Sequence, residues 1–154
     1  MVHVDGSVDP IRDKEVIDTE LQLKDLETVQ KKLDGVNRKV KTGDKTALRE
    51  QEVLRKIEKT LETGKSARTV DLSAEDAVFI QDMHLLTIKP VLYVCNVEES
   101  AVVDGNAYVE QVKEAVKDEG AGVIVIGAQI EADIAELETY EERQEFLADL
   151  GLEE

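Results

Sequence analysis

The sequence predicts an α/β chain that is mostly helical, in which an antiparallel helical hairpin precedes a βαβ unit. Two observations favour this architecture. Apolar residues recur with coiled-coil-like spacing over residues 16–61, in steps of three and four from Leu26 to Val40. Further along, apolar, β-branched-rich runs at 91–95 and 123–126 flank one helical segment, which is the spacing of a βαβ unit.

The hairpin is predicted over residues 10–64. Asp9 can cap its first helix, and Pro10 suits the first helical position because its missing N–H would be unpaired there. The apolar stripe of this helix comprises Val16, Leu23, Leu26, Val29, Leu33, Val36 and Val40. After a break at Thr42-Gly43-Asp44, the second stripe comprises Ala47, Leu54, Ile57 and Leu61. Gly64 is the expected C-cap, and two such helices should fold back on each other, although one long helix kinked at the break is an alternative.

The remaining elements are a third helix, two strands and two further helices. The third helix is predicted over 73–87 with Ser73 as its cap, and helices are also predicted over 107–117 and from Thr139, where Glu142 completes a capping box. Both strands read as parallel strands buried on two faces. Two strands do not make a stable sheet, so we expect the C-terminal part of a larger domain. The alternative is a small domain completed as a homodimer through the exposed sheet edge.

Charge is distributed unevenly along the chain. The formal net charge is −16, yet residues 31–68 hold 12 Lys/Arg against 6 Asp/Glu. This basic arm could neutralise nucleic-acid phosphates, or contact the ribosome or a protein partner, and solvated helix faces are the alternative. The arm contains no aromatic side chains, which disfavours sequence-specific reading of single strands. Its candidate contact residues are Lys31, Lys32, Arg38, Lys39, Lys41, Lys45, Arg49 and Lys56.

Several classes of site are not expected. Cys95 is the single cysteine and cannot form an internal disulfide, which favours a cytoplasmic setting. No apolar stretch approaches the roughly 20 residues that span a bilayer, so no membrane partner is expected. His3 and His84 are the only histidines and belong to no metal-ligand spacing. We therefore predict no metal site and no catalytic residue.

Polar or small residues follow each predicted strand, at the edge where open α/β sheets bind ligands. Asn96-Val97-Glu98-Glu99 follows the first strand and Gly127-Ala128-Gln129 follows the second. A side-chain amide can both donate to and accept from a purine edge, and a small pair lets backbone approach the ring. The spacing thus allows a nucleotide site. The alternative is a turn asparagine beside solvated glutamates.

The machinery for phosphoryl transfer is missing from these 154 residues. Thr63-Gly64-Lys65-Ser66 matches the end of a phosphate-binding P-loop, but it follows a helix, and Lys59 stands where the motif needs glycine. We interpret it as a helix C-cap. No glycine has Asp three residues before it, so the magnesium-linked Asp-x-x-Gly motif is also lacking.

Three long motifs carry a resemblance to a known family. They read H-V-D-G-S-V-D-P-I-R-D-K-E-V-I at 3–17, L-L-T-I-K-P-V-L-Y-V-C-N-V-E-E at 85–99 and E-E-R-Q-E-F-L-A-D-L-G-L-E-E at 141–154. With them the chain resembles the YchF/Obg-like ATPases, translation-factor-related P-loop NTPases. The resemblance implies an N-terminal tail at 1–8, a helical insertion domain at 9–87, and the C-terminal part of the nucleotide-binding domain at 88–154.

The resemblance also implies roles for the two loops. Relatives that bind guanine carry N-K-x-D in the first loop, whereas this family has N-x-x-E and favours ATP over GTP. Asn96 and Val97 would then contact adenine, with Glu99 in place of the guanine-reading Asp. Gly127, Ala128 and Gln129 match a segment usually read as S-A-K, and the change of Ser to Gly127 alters its contact to the base.

The resemblance further implies that this chain is a fragment. The P-loop would precede it and the TGS domain would follow it. The parent protein would be an ATP- or GTP-hydrolysing enzyme that requires Mg2+ and acts near ribosomes. The chain alone is expected to bind ATP weakly or not at all, and not to hydrolyse it.

Overall fold

The computed structural model describes residues 8–149 and 151, which form two compact units. One unit is helical and comprises Arg12–Pro90; the other comprises the described residues of 8–11 and 91–151 and contains the sheet. No helix in the described part of the chain is long and apolar enough to cross a membrane. The helices are α1 Pro10–Lys41, α2 Lys45–Glu62, α3 Ala74–Ala77, α4 Ala107–Val116, α5 Ala128–Glu136 and α6 Tyr140–Asp149, and the strands are β1 Leu92–Asn96 and β2 Gly122–Ile126.

The predicted hairpin is confirmed. Side chains of α1 and α2 bond in antiparallel order: Gln51 Nε2 donates to Asn37 Oδ1 at 2.5 Å near the turn, and Gln22 Nε2 donates to the Gly64 carbonyl at 3.2 Å at the other end. Gly43 makes the turn possible, since its φ of +86° lies in the left-handed region. One apolar core joins the two helices through Val29, Leu33, Val36, Ala47, Val53, Leu54, Ile57 and Leu61.

The end of α2 confirms the C-cap interpretation of the Gly-Lys-Ser segment. Gly64 adopts a φ of +74°, its N–H donates to the Leu61 carbonyl, and the Lys65 N–H donates to the Thr60 carbonyl. These two bonds form a Schellman motif, which satisfies the last carbonyls of a helix. The segment therefore terminates α2 and does not form a phosphate-binding loop.

The N-terminal half of the predicted α1 stripe is wrong. Val16 and Leu23 are each 61% exposed, whereas Gln22 and Asp25 are buried. Both polar side chains make long-range bonds inside the helical unit, and these bonds set which face of α1 turns inward. The apolar spacing is a reliable guide from Leu26 onward, since Leu26 is partly buried against the core and Val29 is fully buried.

Asp25 joins α1 to the segment that leads towards β1. Its Oδ1 accepts from the Leu86 N–H at 2.7 Å, and its Oδ2 accepts from both the Thr87 N–H and the Thr87 hydroxyl at 2.7 Å. The same hydroxyl oxygen accepts from the Ala67 N–H at 2.9 Å. Because Asp25 and Thr87 are each 2% exposed, water cannot readily replace these bonds.

The prediction of one third helix over 73–87 is wrong. Ser73 does cap α3, accepting from the Asp76 N–H at 3.1 Å, but α3 ends at Ala77 and a 3-10 helix follows over Val78–Met83. His84 then takes a left-handed conformation with φ of 49°, which no helix can continue. The helix stops here because Asp25 holds the backbone N–H groups that would otherwise bond within it.

The two strands pair in parallel, as predicted, with Leu92 opposite Gly122 and Asn96 opposite Ile126. Asn106 caps the crossover helix α4, accepting from the N–H groups of Tyr108 and Val109. The prediction that the strands are buried on both faces is wrong. Side chains alternate between half-buried and exposed because one face of this sheet lacks a covering layer in the described residues. Its exposed apolar residues are Leu92, Val94 and Ile124.

The capping box before the last helix is confirmed. The Thr139 N–H donates to Glu142 Oε2 at 3.0 Å, and the Glu142 N–H donates to Thr139 Oγ1 at 3.3 Å. Hydrogen bonding of the Glu142 carboxylate to Thr139, chiefly to its backbone N–H, lowers the pKa of Glu142. The sequence analysis missed α5, a separate helix that begins directly after the second loop.

We expect Asp25→Asn to destabilise the helical unit by about 2 to 4 kcal/mol, because an amide group cannot accept all three buried hydrogen bonds. Urea unfolding followed by circular dichroism measures the change. Asp34→Asn is the matched control, since Asp34 is exposed on the same helix. Equal unfolding midpoints for the two variants would contradict the importance of the Asp25 contacts.

Candidate functional site

The register of the sheet brings the two predicted loops together. Asn96 ends β1 opposite Ile126, and the Val97 N–H donates to the Ile126 carbonyl at 2.8 Å. One residue beyond Gly127, the Ala128 N–H donates to Asn96 Oδ1 at 3.0 Å. The Asn96 side chain thus links the first loop to the start of α5. With Oδ1 used in this way, its Nδ2 group faces no acceptor among the described residues and can donate to a ligand.

Gly127 is required by packing. It is buried, and a Cβ at this position would lie 2.6 Å from Val102 Cγ2 and 3.1 Å from Ile130 Cδ1. Its φ of −112° is accessible to any residue, so the constraint is space and not backbone conformation. A serine at Gly127 would have to displace Val102, which explains physically why this loop departs from the usual S-A-K form.

The other predicted loop residues do not all converge. Val97 is half-buried and bonds through its backbone. Glu99 begins a 3-10 helix over Glu99–Ala101, where its carboxylate is exposed and has no hydrogen-bond partner in the described part of the chain. Gln129 Nε2 donates along α5 to Asp133 Oδ1 at 2.9 Å, so this amide is already engaged. The edge therefore presents the Asn96 amide and the Glu99 carboxylate as exposed polar groups.

No metal centre is evident near this edge. Among the described residues, no group of three or more His, Cys, Asp or Glu side chains is placed to hold an ion. Cys95 lies in β1 with its thiol half-buried, and this burial raises its pKa. The thiol is therefore mainly protonated at neutral pH, which disfavours a role as nucleophile.

Three of the eight predicted arm residues form ion pairs inside the helical unit. Lys31 Nζ lies 2.6 Å from Glu27 Oε1, and bonds from Lys31 and Lys24 lower the pKa of Glu27 to about 2. Lys32 Nζ lies 2.7 Å from Asp82 Oδ1 and 3.3 Å from Glu50 Oε1. It also donates to the Phe79 carbonyl at 2.7 Å, so Lys32 ties α1 to the 3-10 segment.

Arg49 is the third of these residues. Its Nε and Nη2 donate to the two Asp76 oxygens at 2.7 and 3.1 Å, a bidentate pair. Hydrogen bonding to Arg49 lowers the pKa of Asp76, and the same bond raises the pKa of Arg49. This pair fastens α3 to α2, and Arg49 is accordingly a structural residue.

The remaining arm residues are exposed and lack a hydrogen-bonding or ion-pair partner in the described structure. Arg38, Lys39 and Lys41 lie in the last turns of α1, and Lys45 is the first residue of α2. Lys56 lies farther along α2. Four of these five residues thus lie near the hairpin turn, whereas Lys56 and the exposed Lys59 and Lys65 lie along α2 or just after its end.

The sequence analysis missed the residues that organise the helical unit. Asp25 stands four residues before Val29 and three after Gln22, so it continues the buried stripe of α1 towards the N-terminus. A charged residue at such a position signals a long-range contact, because a buried carboxylate requires partners. Asp82 and Asp76, which pair with Lys32 and Arg49, had no comparable signal.

The fold defines a class of protein: a βαβ unit of an open α/β sheet in one chain with a helical hairpin unit. Across its whole length, the chain is homologous to the YchF ribosome-binding ATPases. A scan against protein-family models finds no match.

Individual relatives support this assignment. The chain is 46% identical over 156 residues to the "Ribosome-binding ATPase YchF" of Bacillus subtilis, and 46% identical over 154 residues to that of Escherichia coli O157:H7. It spans 42% of the length of each of these relatives. The structure of the Schizosaccharomyces pombe YchF GTPase superposes with a TM-score of 0.85 at 31% identity, over 99% of this chain and 43% of that one.

We expect Gly127→Ser to destabilise the sheet unit by about 1 to 3 kcal/mol, because the new side chain overlaps Val102. Thermal unfolding of the variant measures the loss. Val102→Ala should restore part of it in the double variant, as expected for side chains in direct contact. Gly35→Ser is the control, since a Cβ at that position meets nothing within 4 Å. If the double variant lost as much as the sum of the single changes, the steric explanation would be wrong.

The Arg49–Asp76 pair should make stability depend on pH. Because the folded-state pKa of Asp76 is lowered, the pair stabilises the fold above the unfolded-state pKa of about 3.9 and loses this effect as the pH falls through the lower folded value. We expect the melting temperature of Asp76→Asn to lie a few degrees below that of the unmodified chain at pH 7. This difference in melting temperature should disappear below about pH 4. Thermal unfolding from pH 2 to 7 measures this difference, and Asp71→Asn is the control because Asp71 is exposed. A difference in melting temperature that does not depend on pH would contradict stabilisation by the Arg49–Asp76 ion pair.

Proposed function

We propose that this chain supplies the base-facing edge of the nucleotide-binding domain, together with the helical arm, in an ATPase of the YchF type. The observation that carries this proposal is the bond from the Ala128 N–H to Asn96 Oδ1, which holds the two loops at one edge of the parallel sheet. Ligands of open α/β sheets bind at this edge. The printed name of the bacterial relatives, an ATPase, supports adenine as the base, whereas guanine would fit the GTPase named for the matching structure.

Each loop residue has a distinct proposed role. Asn96 fixes the second loop through Oδ1 and donates from Nδ2 to the base, while Glu99 accepts an N–H of the base edge. Val97 and Ala128 supply backbone and apolar contact to the ring. Gly127 keeps the second loop close to Val102, and Gln129 orders the first turn of α5 through Asp133.

We further propose that these 154 residues do not hydrolyse ATP by themselves. They include neither a phosphate-binding loop nor the Asp-x-x-Gly motif, so nothing in them can clamp the phosphates or position Mg2+. Nucleotide contact would be limited to the base, which predicts weak binding. Hydrolysis, its Mg2+ ion and a cytoplasmic site of action belong to the proposed parent protein.

A second candidate function is an interaction module. Its basic hairpin would contact the ribosome, in keeping with the printed name of the bacterial relatives. The exposed cations of the hairpin favour this candidate, because they have no partner in the described residues. A homodimer through the exposed sheet edge remains a prediction, and it would leave the face with Leu92, Val94 and Ile124 to be covered by another layer.

We expect millimolar adenosine to shift the backbone amide resonances of Val97 and Ala128, and guanosine to shift them less. Millimolar affinity corresponds to only about 4 kcal/mol, which suits contact to the base alone. Two-dimensional 15N NMR of the full chain measures the shifts. With Mg2+ and ATP, the same sample should release phosphate no faster than buffer.

Two variants separate positioning from base contact. Asn96→Asp keeps an oxygen for the Ala128 N–H but removes the Nδ2 donor, so the loops should stay together while the adenosine shifts disappear. Asn96→Ala should disturb both. Adenosine shifts that survive in both variants would contradict the proposed site, and magnesium-dependent turnover lost in Asn96→Ala would contradict the proposed inactivity.

A further inference from the structure

We propose that the outward face of α1 binds the same face of a second copy of this chain, with the two helices antiparallel. The residues that we call the α1 face are Val16, Ile17, Glu20, Leu21, Leu23 and Lys24. This inference does not depend on the nucleotide edge or on the cations around the hairpin turn.

The α1 face exposes large apolar residues on a helix whose opposite side packs in the core. Val16 and Leu23 are each 61% exposed and Ile17 is 57% exposed, whereas Val29 and Leu33 are buried on the other side of the helix. Exposed apolar residues that are rimmed by charges are typical of a protein–protein contact. A partner on this face would remove the apolar surface from water.

A groove of about 350 Å³ adjoins the α1 face. Leu86 forms one of its apolar walls and is 40% exposed. The Leu86 N–H donates to Asp25 Oδ1 at 2.7 Å, so this wall is fixed against α1. The groove can thus receive an apolar side chain of a partner. Its lining residues are Glu20, Leu21, Leu23, Lys24, Glu27 and Leu86.

The order of residues along α1 makes this face complementary to itself. If a two-fold axis passes at position 22, each contact occurs twice, and residue 20 lies opposite residue 24 of the second copy. Glu20 then lies opposite the partner's Lys24. Leu21 lies opposite the partner's Leu23, beside the groove. Parallel helices in register would instead place like charges opposite each other, which disfavours that arrangement.

The charged residues of the face are available for these contacts. Glu20 has no hydrogen-bond or ion-pair partner in the described part of the chain. Lys24 Nζ lies 3.0 Å from Glu27 Oε2, but Lys31 Nζ lies 2.6 Å from the other carboxylate oxygen of Glu27. Lys24 can therefore turn to a second copy without leaving Glu27 unpaired.

The net charge of the helical unit does not oppose self-association. Arg12–Pro90 holds 16 Lys/Arg and 16 Asp/Glu, a balance of 0. The remainder holds 3 Lys/Arg and 19 Asp/Glu, which accounts for the formal charge of −16. Electrostatic repulsion between two helical units is therefore small, and local pairs of opposite sign decide how the two faces meet.

Analytical ultracentrifugation of the full chain from about 5 to 500 µM measures the association. A single helix face suits a weak, reversible dimer, so we expect a dissociation constant of about 10 to 100 µM. Leu23→Lys should weaken association about tenfold or more, because it places a charge in the apolar contact. Leu48→Lys is the matched control, since Leu48 is 47% exposed and lies on α2 outside the groove. This control should stay within about twofold of the unmodified chain.

Charge reversal tests the antiparallel pairing. Glu20→Lys and Lys24→Glu should each weaken association about tenfold, because each change places like charges opposite each other twice in the dimer. The double reversal restores opposite signs, and its dissociation constant should lie within about threefold of that of the unmodified chain. Glu20 and Lys24 are exposed, so circular dichroism should show the same helix content in all three variants.

The contrary outcomes are distinct. A chain that stays monomeric up to about 500 µM would overturn the proposal. Equal weakening by Leu23→Lys and Leu48→Lys would show that the α1 face is not the contact. A dimer that none of the variants alters would exclude the α1 face and favour the sheet edge. A double reversal that associates no better than the single reversals would rule out the antiparallel arrangement.

Discussion

The buried carboxylate of Asp25 is the contact on which the helical unit depends. It accepts three hydrogen bonds from two consecutive residues, Leu86 and Thr87, and so fixes the point at which the chain leaves this unit a few residues before β1. The N–H groups of Leu86 and Thr87 bond to Asp25 instead of continuing a helix beyond the left-handed His84. One polar interaction thus fastens to α1 the segment that directly follows the 3-10 helix.

This contact also marks the limit of what the sequence could predict. Periodic apolar residues predicted the hairpin, its turn and most of its core, because burial of such a stripe is a local property of each helix. The same reasoning placed Val16 and Leu23 in the core, where the structure instead buries Gln22 and Asp25. Hydrogen bonds between residues 42 and 61 positions apart override the apolar pattern, and only the charge of Asp25 at a stripe position signals one of them.

The candidate site was predictable to the extent that it follows from strand topology. Parallel pairing places the carboxyl ends of β1 and β2 at one edge, so the convergence of Asn96 and Ala128 could be expected from the positions of the strands alone. The requirement for glycine at 127 could not be predicted in this way, because it comes from the side chain of Val102, in the loop before α4. The exposed sheet face likewise depends on which layers surround the strands, and not on the residues of the strands.

The charge of the helical arm likewise differs between sequence and structure, because some of its basic residues are paired within the fold. A count of charged residues predicted a basic arm with several cations available for contact, but the fold uses Lys32 and Arg49 to fasten neighbouring segments through Asp82 and Asp76. Charges used in this way stabilise the unit and are already neutralised. The charges that remain free mark a surface that the fold does not need. The unpaired cations lie near the hairpin turn and along α2, so the arm offers a partner fewer positive charges than its sequence suggests.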